Sequence, residues 1–239
     1  MTNVTFDMLW KSGAHFGHLT RKWNPKMKGF IFMQKNGIHI IDLNKTVDCL
    51  DQASRFIRET VRKGGDVLFV GTKKQAKDIV QKEADRCGMF YVVERWLGGT
   101  LTNFSTIKKS IRHLHQLEKE KSIGYGDNLN KREKLSLERE RAKLADLHRG
   151  IKDMKRIPEA LIIVDITNDT IALKEAIRLD IPVVAILDTN ADPTLVDYPI
   201  PANDDSIQTI QIIISELANA ILEAKSSRLV DVPTEEATT

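Results

Sequence analysis

Three short runs of consecutive apolar residues punctuate the chain: Asp66-Val-Leu-Phe-Val-Gly71, Ala160-Leu-Ile-Ile-Val-Asp165 and Ile181-Pro-Val-Val-Ala-Ile-Leu-Asp188. A short strand that is apolar on both sides needs cover on both faces, the pattern of a parallel sheet sandwiched by helices. Helical spacing follows each run, over 73–86, 169–179 and 206–224. Another helix over 45–63 stops at Gly64-Gly65, because glycine enters the left-handed region that ends helices. This alternation predicts an α/β fold: a doubly wound, mostly parallel sheet flanked by helices.

Residues 104–154 break the rhythm. Ile107, Ile111, Leu114 and Leu117 recur at helical spacing, and so do Leu137, Leu144, Leu147, Ile151 and Met154. A turn signal rich in glycine and polar residues lies between them, over 122–128. The prediction is an inserted antiparallel helical hairpin, about 30 Å long at 1.5 Å per residue. Its apolar seam is narrow and its other faces are charged, so it should project as a coiled coil. The sheet domain then comprises 1–103 and 157–224, the hairpin 104–156, and a flexible polar tail 225–239.

Charge adds a surface to this fold. The net charge is only +3, from 36 Lys+Arg and 33 Asp+Glu. Residues 1–35 hold six basic groups and one acidic, 36–107 eleven and nine, 108–156 fifteen and eight, and 157–239 four and fifteen. The first 156 residues therefore sum to +14 and the remainder to −11. Such a chain offers a basic surface to a polyanion while its acidic third faces something else. A solvated charged face is the plainer alternative. Cys49 and Cys87 lie far apart with no CxxC spacing, as in the reduced thiols of a cytosolic protein. The amino terminus has no basic start followed by an apolar run, and no stretch approaches the ~20 apolar residues that cross a bilayer, so no membrane partner is expected.

Catalytic patterns are weak. Val70-Gly71-Thr72-Lys73-Lys74 carries one glycine where a dinucleotide loop needs GxGxxG, and Walker and GxSxG sequences are absent. His15-Phe-Gly-His18 has two imidazoles three apart, without the helix and glutamate of a metalloprotease. Asp165 and Asp188 each follow a strand, at the sheet edge where α/β folds bind ligands, and Asp204-Asp205 open the last helix. Asp188, Asp204 and Asp205, with His39, could hold a divalent cation, the basis of an alternative reading as a metal-dependent phosphoryl-transfer enzyme. Helix capping accounts for the same residues. A phosphate clamp would have to come from Lys174 and Arg178, the basic residues within 157–205. No catalytic activity, no small-molecule substrate and no required cofactor are therefore expected.

Two segments suit nucleic acid better. Residues 15–28 mix cations (Arg21, Lys22, Lys26, Lys28), rings (His15, His18, Trp23) and loop-forming residues, with little apolar periodicity. Residues 94–104 bring Arg95, Trp96 and a glycine pair, then Thr102 and Asn103 as donors to phosphate, and lead into Lys108, Lys109 and Arg112. Lys131 and Arg132 add cations on the hairpin. Cations meet phosphate, and imidazole or indole rings stack on bases or support their loops. No RNP, KH or helix-turn-helix signature is present, so recognition should rest on backbone and shape.

The same segments carry a resemblance. His15-Phe-Gly-His18, Trp23-Asn-Pro-Lys-Met27, Asn36-Gly-Ile-His-Ile-Ile-Asp-Leu43, Phe69-Val-Gly-Thr-Lys-Lys-Gln75, Arg95-Trp-Leu-Gly-Gly99, Leu101-Thr-Asn-Phe104 and Asn203-Asp-Asp205 resemble the family of ribosomal protein two of the bacterial small subunit. The resemblance extends over nearly all of 6–224. It implies an α/β domain with a protruding coiled-coil hairpin and a cytoplasmic, ribosomal location. It also implies binding to small-subunit ribosomal RNA, contacts with other small-subunit proteins, and help in recruiting ribosomal protein one for mRNA capture, for which the acidic sheet domain is the expected docking surface. Two departures stand out: Lys35 where the family often has Arg, and Ala202 where Gly is usual. If the second position needed a positive φ, Ala would cost about 1 kcal/mol.

Overall fold

The computed structural model describes residues 3–124 and 130–230. The chain opens with α1 (Phe6–Lys11), β1 (Phe16–Leu19), β2 (Ile31–Lys35) and β3 (Ile38–Ile41), then α2 (Leu43–Arg62). Next come β4 (Val67–Val70), α3 (Lys77–Cys87) and β5 (Phe90–Val92), followed by α4 (Phe104–Ile123) and α5 (Lys131–His148). The last stretch is β6 (Ala160–Val164), α6 (Thr170–Arg178), β7 (Val183–Leu187), β8 (Tyr198–Pro201) and α7 (Ile207–Val230).

Five parallel strands form the main sheet in the order β5-β4-β6-β7-β8. Their side chains alternate between two apolar cores, as a period of two dictates. Val67, Phe69, Ile162, Val164, Val184 and Ile186 meet Leu50 and Ile57 of α2, Val80 of α3, and Ile213 and Leu217 of α7. Leu68, Val70, Leu161, Ile163, Ala185 and Leu187 meet Ala172 and Ala176 of α6, and Ile107 and Ile111 of α4. Each large side chain buried this way contributes about 1.5–3 kcal/mol. Gly71 permits close packing of α3, since a Cβ there would lie 2.7 Å from Val80 Cγ2. The chain passes from β4 to β5 on one side and then, through α4 and α5, crosses to β6 on the other side of β4, so the strand order reverses between β4 and β6 and a crevice opens at their carboxyl ends.

Other features depart from the sequence reading. Residues 16–41 are not loops alone: β1, β3 and β2 form a separate antiparallel sheet in that order. Its strands are mostly solvent-exposed, with Phe16, Phe32 and Met33 open to water, which hides the usual alternation. The helix expected from residue 73 starts at Lys77, because 73–76 form a turn. Ala202 is absent from the residues with positive φ and is fully buried, so the strain weighed for it does not arise. The last helix runs past Ala224 to Val230, into the segment expected as a tail; 231–239 lie outside the described residues.

Between β5 and β6 the chain makes α4 and α5, which lie side by side in opposite directions. Ser110 Oγ meets His148 Nε2 at 2.8 Å, His113 Nε2 meets Glu140 at 3.0 Å and Lys121 Nζ meets Glu138 at 2.8 Å, so one index rises as the other falls. Ile107, Ile111, Leu114 and Leu117 are buried along α4, and Leu137, Leu144 and Leu147 are half-buried on α5. Asn130 and Glu133 cap α5 reciprocally, each side chain bonding the other's backbone N–H at 2.9 Å. The expected turn over 122–128 falls outside the described residues from Tyr125 onward. At the base, Gly150 lies on Tyr91 and Arg156 bonds Asp66 at 2.9 Å, tying the exit of the pair to the sheet.

Candidate nucleic-acid interface

The carboxyl edge of the sheet gathers Asp165, Asp188, Asp204 and Asp205, and the fold brings two cations to them. Lys73, in the turn after β4, donates to Asp204 Oδ1 at 2.7 Å, pairs with Asp205 Oδ1 at 2.8 Å, and lies 3.5 Å from Asp165 Oδ2. Burial works to lower the Lys73 pKa, but the hydrogen bonds to Asp204 and Asp205 outweigh it and hold the ammonium above its ordinary value. His18, in β1, pairs through Nδ1 with Asp188 Oδ2 at 2.9 Å, and this bond raises the imidazole pKa against desolvation. Asp204 is 1% exposed; burial and the neighbouring Asp165 push its carboxyl up to about 7. Asp165 takes a left-handed backbone, φ 65°, with its carboxylate folded back onto Thr167 N at 2.8 Å.

His39, grouped with these carboxylates on sequence grounds, is not at this cluster. Its ring packs at a tilt of 40° against Trp23 with centroids 4.9 Å apart, and both of its ring nitrogens are buried without a hydrogen bond. Lys73, which sequence reasoning assigned only to a strand-to-helix turn, takes the central place instead. The cluster is closed by internal ion pairs and offers no phosphate clamp: Lys174 and Arg178 belong to α6 and make no ion pair with it. The phosphoryl-transfer alternative finds no support.

A second carboxylate organises the 94–104 loop. Glu175, on α6, accepts from Trp96 Nε1 at 3.0 Å, Gly99 N at 2.7 Å, Leu101 N at 3.0 Å, Thr102 N at 3.0 Å and Thr102 Oγ1 at 3.1 Å. Burial opposes the charge on Glu175, but these donors prevail and hold its pKa below the usual glutamate range. Thr102, expected to donate to phosphate, spends both donors on this side chain. Trp96 is buried and holds its loop, with no ring face left for a base. A signal for Glu175 was present: a lone acid in the buried stripe of α6, between Leu173 and Ala176.

The remaining expected contacts divide by partner. His15 is buried, stacked on Trp10 at 4.1 Å and against Phe16 at 4.0 Å, and so supports its loop. Lys26 reaches Asp192 at 2.7 Å and Thr194 at 3.0 Å. Lys108 bonds Lys155 O at 2.5 Å and sits 4.7 Å over the Phe104 ring. Arg112 is exposed and bonds Lys108 O through Nε at 3.4 Å. Arg21, Lys22, Lys28, Arg95, Lys109, Lys131 and Arg132 are exposed and pair with no acid among the described residues.

A doubly wound sheet whose carboxyl edge is occupied by its own ion pairs, with exposed cations on loops and a helix pair, defines an α/β protein with a basic surface. Residues 9–224 match the family model of ribosomal protein S2, and the chain belongs to that family. A curated relative, the small ribosomal subunit protein uS2 of Chloroherpeton thalassium, is 53% identical over 224 residues, spanning 94% of this chain and 90% of the relative. The chain is thus a structural, non-enzymatic ribosomal protein of the small subunit, acting in translation. No helix among the described residues is long and apolar enough to cross a membrane.

Proposed function

We propose that this chain binds small-subunit ribosomal RNA through its phosphate backbone and shape, and helps hold ribosomal protein one on the cytoplasmic ribosome for mRNA capture. One observation carries the RNA reading: the exposed cations Arg21, Lys22, Lys28, Arg95, Lys109, Lys131 and Arg132 have no acidic partner among the described residues, while the acids of the sheet edge are engaged by Lys73 and His18. Unpaired surface cations break no ion pair on turning to phosphate, whereas Lys26 would first have to leave Asp192. The paired helices α4 and α5 act as a coiled-coil arm that carries Lys109, Lys131 and Arg132 to RNA away from the sheet. The acidic sheet domain meets protein partners, ribosomal protein one among them.

Binding of the full chain to small-subunit ribosomal RNA, measured against salt, tests this. Log affinity falls linearly with log salt with a slope of several units, and Arg21→Ala with Lys22→Ala lowers that slope by about 1–2 while the melting temperature stays put. A flat salt response, or loss of stability in the double variant, would contradict it.

A further inference from the structure

We propose that a groove at the amino ends of β7 and β8 docks a basic peptide segment of a neighbouring small-subunit protein. The proposal rests on the reading that the acidic part of the chain meets protein. The groove encloses about 400 Å³ and lies at the opposite end of the sheet from Lys73 and its carboxylates. One wall is the turn from α6 into β7; the other is the segment 194–197 that leads into β8. Ile181 and Val196 are buried in these walls, while Ile177 and Leu195 stand 48% and 46% exposed. A concave surface with open aliphatic side chains is where an incoming apolar side chain gains most by leaving water.

Charge selects the partner. Asp180 and Asp197 line the groove, both are exposed, and neither pairs with a cation among the described residues. No lysine or arginine is among the lining residues. Lys26, which reaches Thr194 on one wall, is already held by Asp192 at 2.7 Å. Because α6 ends here, the negative end of its dipole adds to the two acids. Such a surface repels phosphate and attracts Lys or Arg, so it suits protein rather than RNA. Chains packed against RNA carry a basic surplus of their own, and a segment of one, with apolar side chains between its cations, matches both properties of the groove.

Both acids can be neutralised without disturbing the fold. Asp180 takes a left-handed backbone, φ 52°, which Asn also tolerates. Asp197 Oδ2 accepts Val183 N at 2.9 Å, and an Asn there keeps an oxygen for that bond. The test uses assembled small subunits carrying the full chain with a photo-crosslinking residue in place of Leu195, and mass spectrometry of what it captures. The captured segment should belong to a small-subunit protein and be rich in Lys or Arg. Asp180→Asn with Asp197→Asn should lower the yield about threefold or more, with an unchanged melting temperature, and Asp180→Asn alone should lower it less. Asp78→Asn with Glu59→Gln removes as much charge from exposed acids outside the groove and should leave the yield unchanged. Cross-links to RNA, to an acidic segment or to nothing, or a yield indifferent to the Asp180 and Asp197 pair, would each overturn the assignment. Affinity of these variants for ribosomal RNA, measured in parallel, should not fall; a failure of the salt-dependent RNA reading would leave the cross-link in place and is thereby told apart.

Discussion

The indole N–H of Trp96 donates to Oε1 of Glu175 across 3.0 Å, joining the loop after β5 to a helix that lies 79 residues further along the chain. Four more donors converge on the same carboxylate, so the loop is built around an anion that the protein itself supplies. Glu175→Ala would leave buried N–H groups unsatisfied and should cost about 3 kcal/mol, read as a lower urea midpoint with altered tryptophan fluorescence. Glu175→Gln keeps the shape and should cost less. Because folding lowers the Glu175 pKa, its contribution is present above the unfolded value of 4.5 and is lost as pH falls through the folded one.

Lys73, in the turn after β4, is the counterpart among the carboxylates of the sheet edge. Lys73→Met leaves Asp204 buried beside two further carboxylates with its ammonium removed. Breaking one side of such a pair costs about 3–5 kcal/mol. Equilibrium unfolding at neutral pH checks this; a change below about 1 kcal/mol would mean that solvent already screens the cluster.

Gly150 is where the helix pair returns to the sheet. A Cβ there would fall 2.1 Å from the Tyr91 carbonyl oxygen, and the Gly150 carbonyl accepts Tyr91 N at 3.0 Å. Gly150→Ala must push α5 away from β5 and should cost about 1–3 kcal/mol, the range for forced overpacking, with a corresponding drop in melting temperature. Gly29→Ala, where a Cβ meets nothing within 4 Å, serves as the control.

His148 is fully buried between the helix pair and the sheet, with Nδ1 unpartnered, and burial holds its pKa below 6.5; burial acts on His15 in the same direction. Below pH 6.5 the unfolded chain takes up protons that the folded one refuses. Stability is therefore full above that value and falls as pH drops toward the folded pKa values, by up to about 1.4 kcal/mol per pH unit for each group. Urea midpoints at pH 7.5 and 5.5 measure the slope, and His148→Asn should flatten it.

Legibility followed burial. The runs of β4, β6 and β7 were readable because they are apolar on both faces, and α4 because Ile107, Ile111, Leu114 and Leu117 form one stripe. The small sheet escaped because Phe32 and Met33 face water and break the alternation that marks a half-buried strand. β8 escaped because Pro199 and Pro201 argue against a strand in any sequence reading. At the site, the carboxylates could be placed on the edge, since each follows a strand or opens a helix. Their partners could not: Lys73 reaches Asp204 and His18 reaches Asp188 only through the order in which strands are laid down. The free cations are the converse, visible in composition because nothing in the fold claims them.

The two prolines of β8 have a meaning beyond their oddity. Ala202 N bonds inward to Leu187 O, so by alternation the amide positions of 199 and 201 turn away from the sheet, toward its open border. Both positions lack a hydrogen to donate, and the Pro201 carbonyl is already taken by Thr46. A foreign strand arriving at that border finds no ladder to join, so a newly made copy awaiting its subunit is guarded against stacking onto its neighbours by the backbone itself.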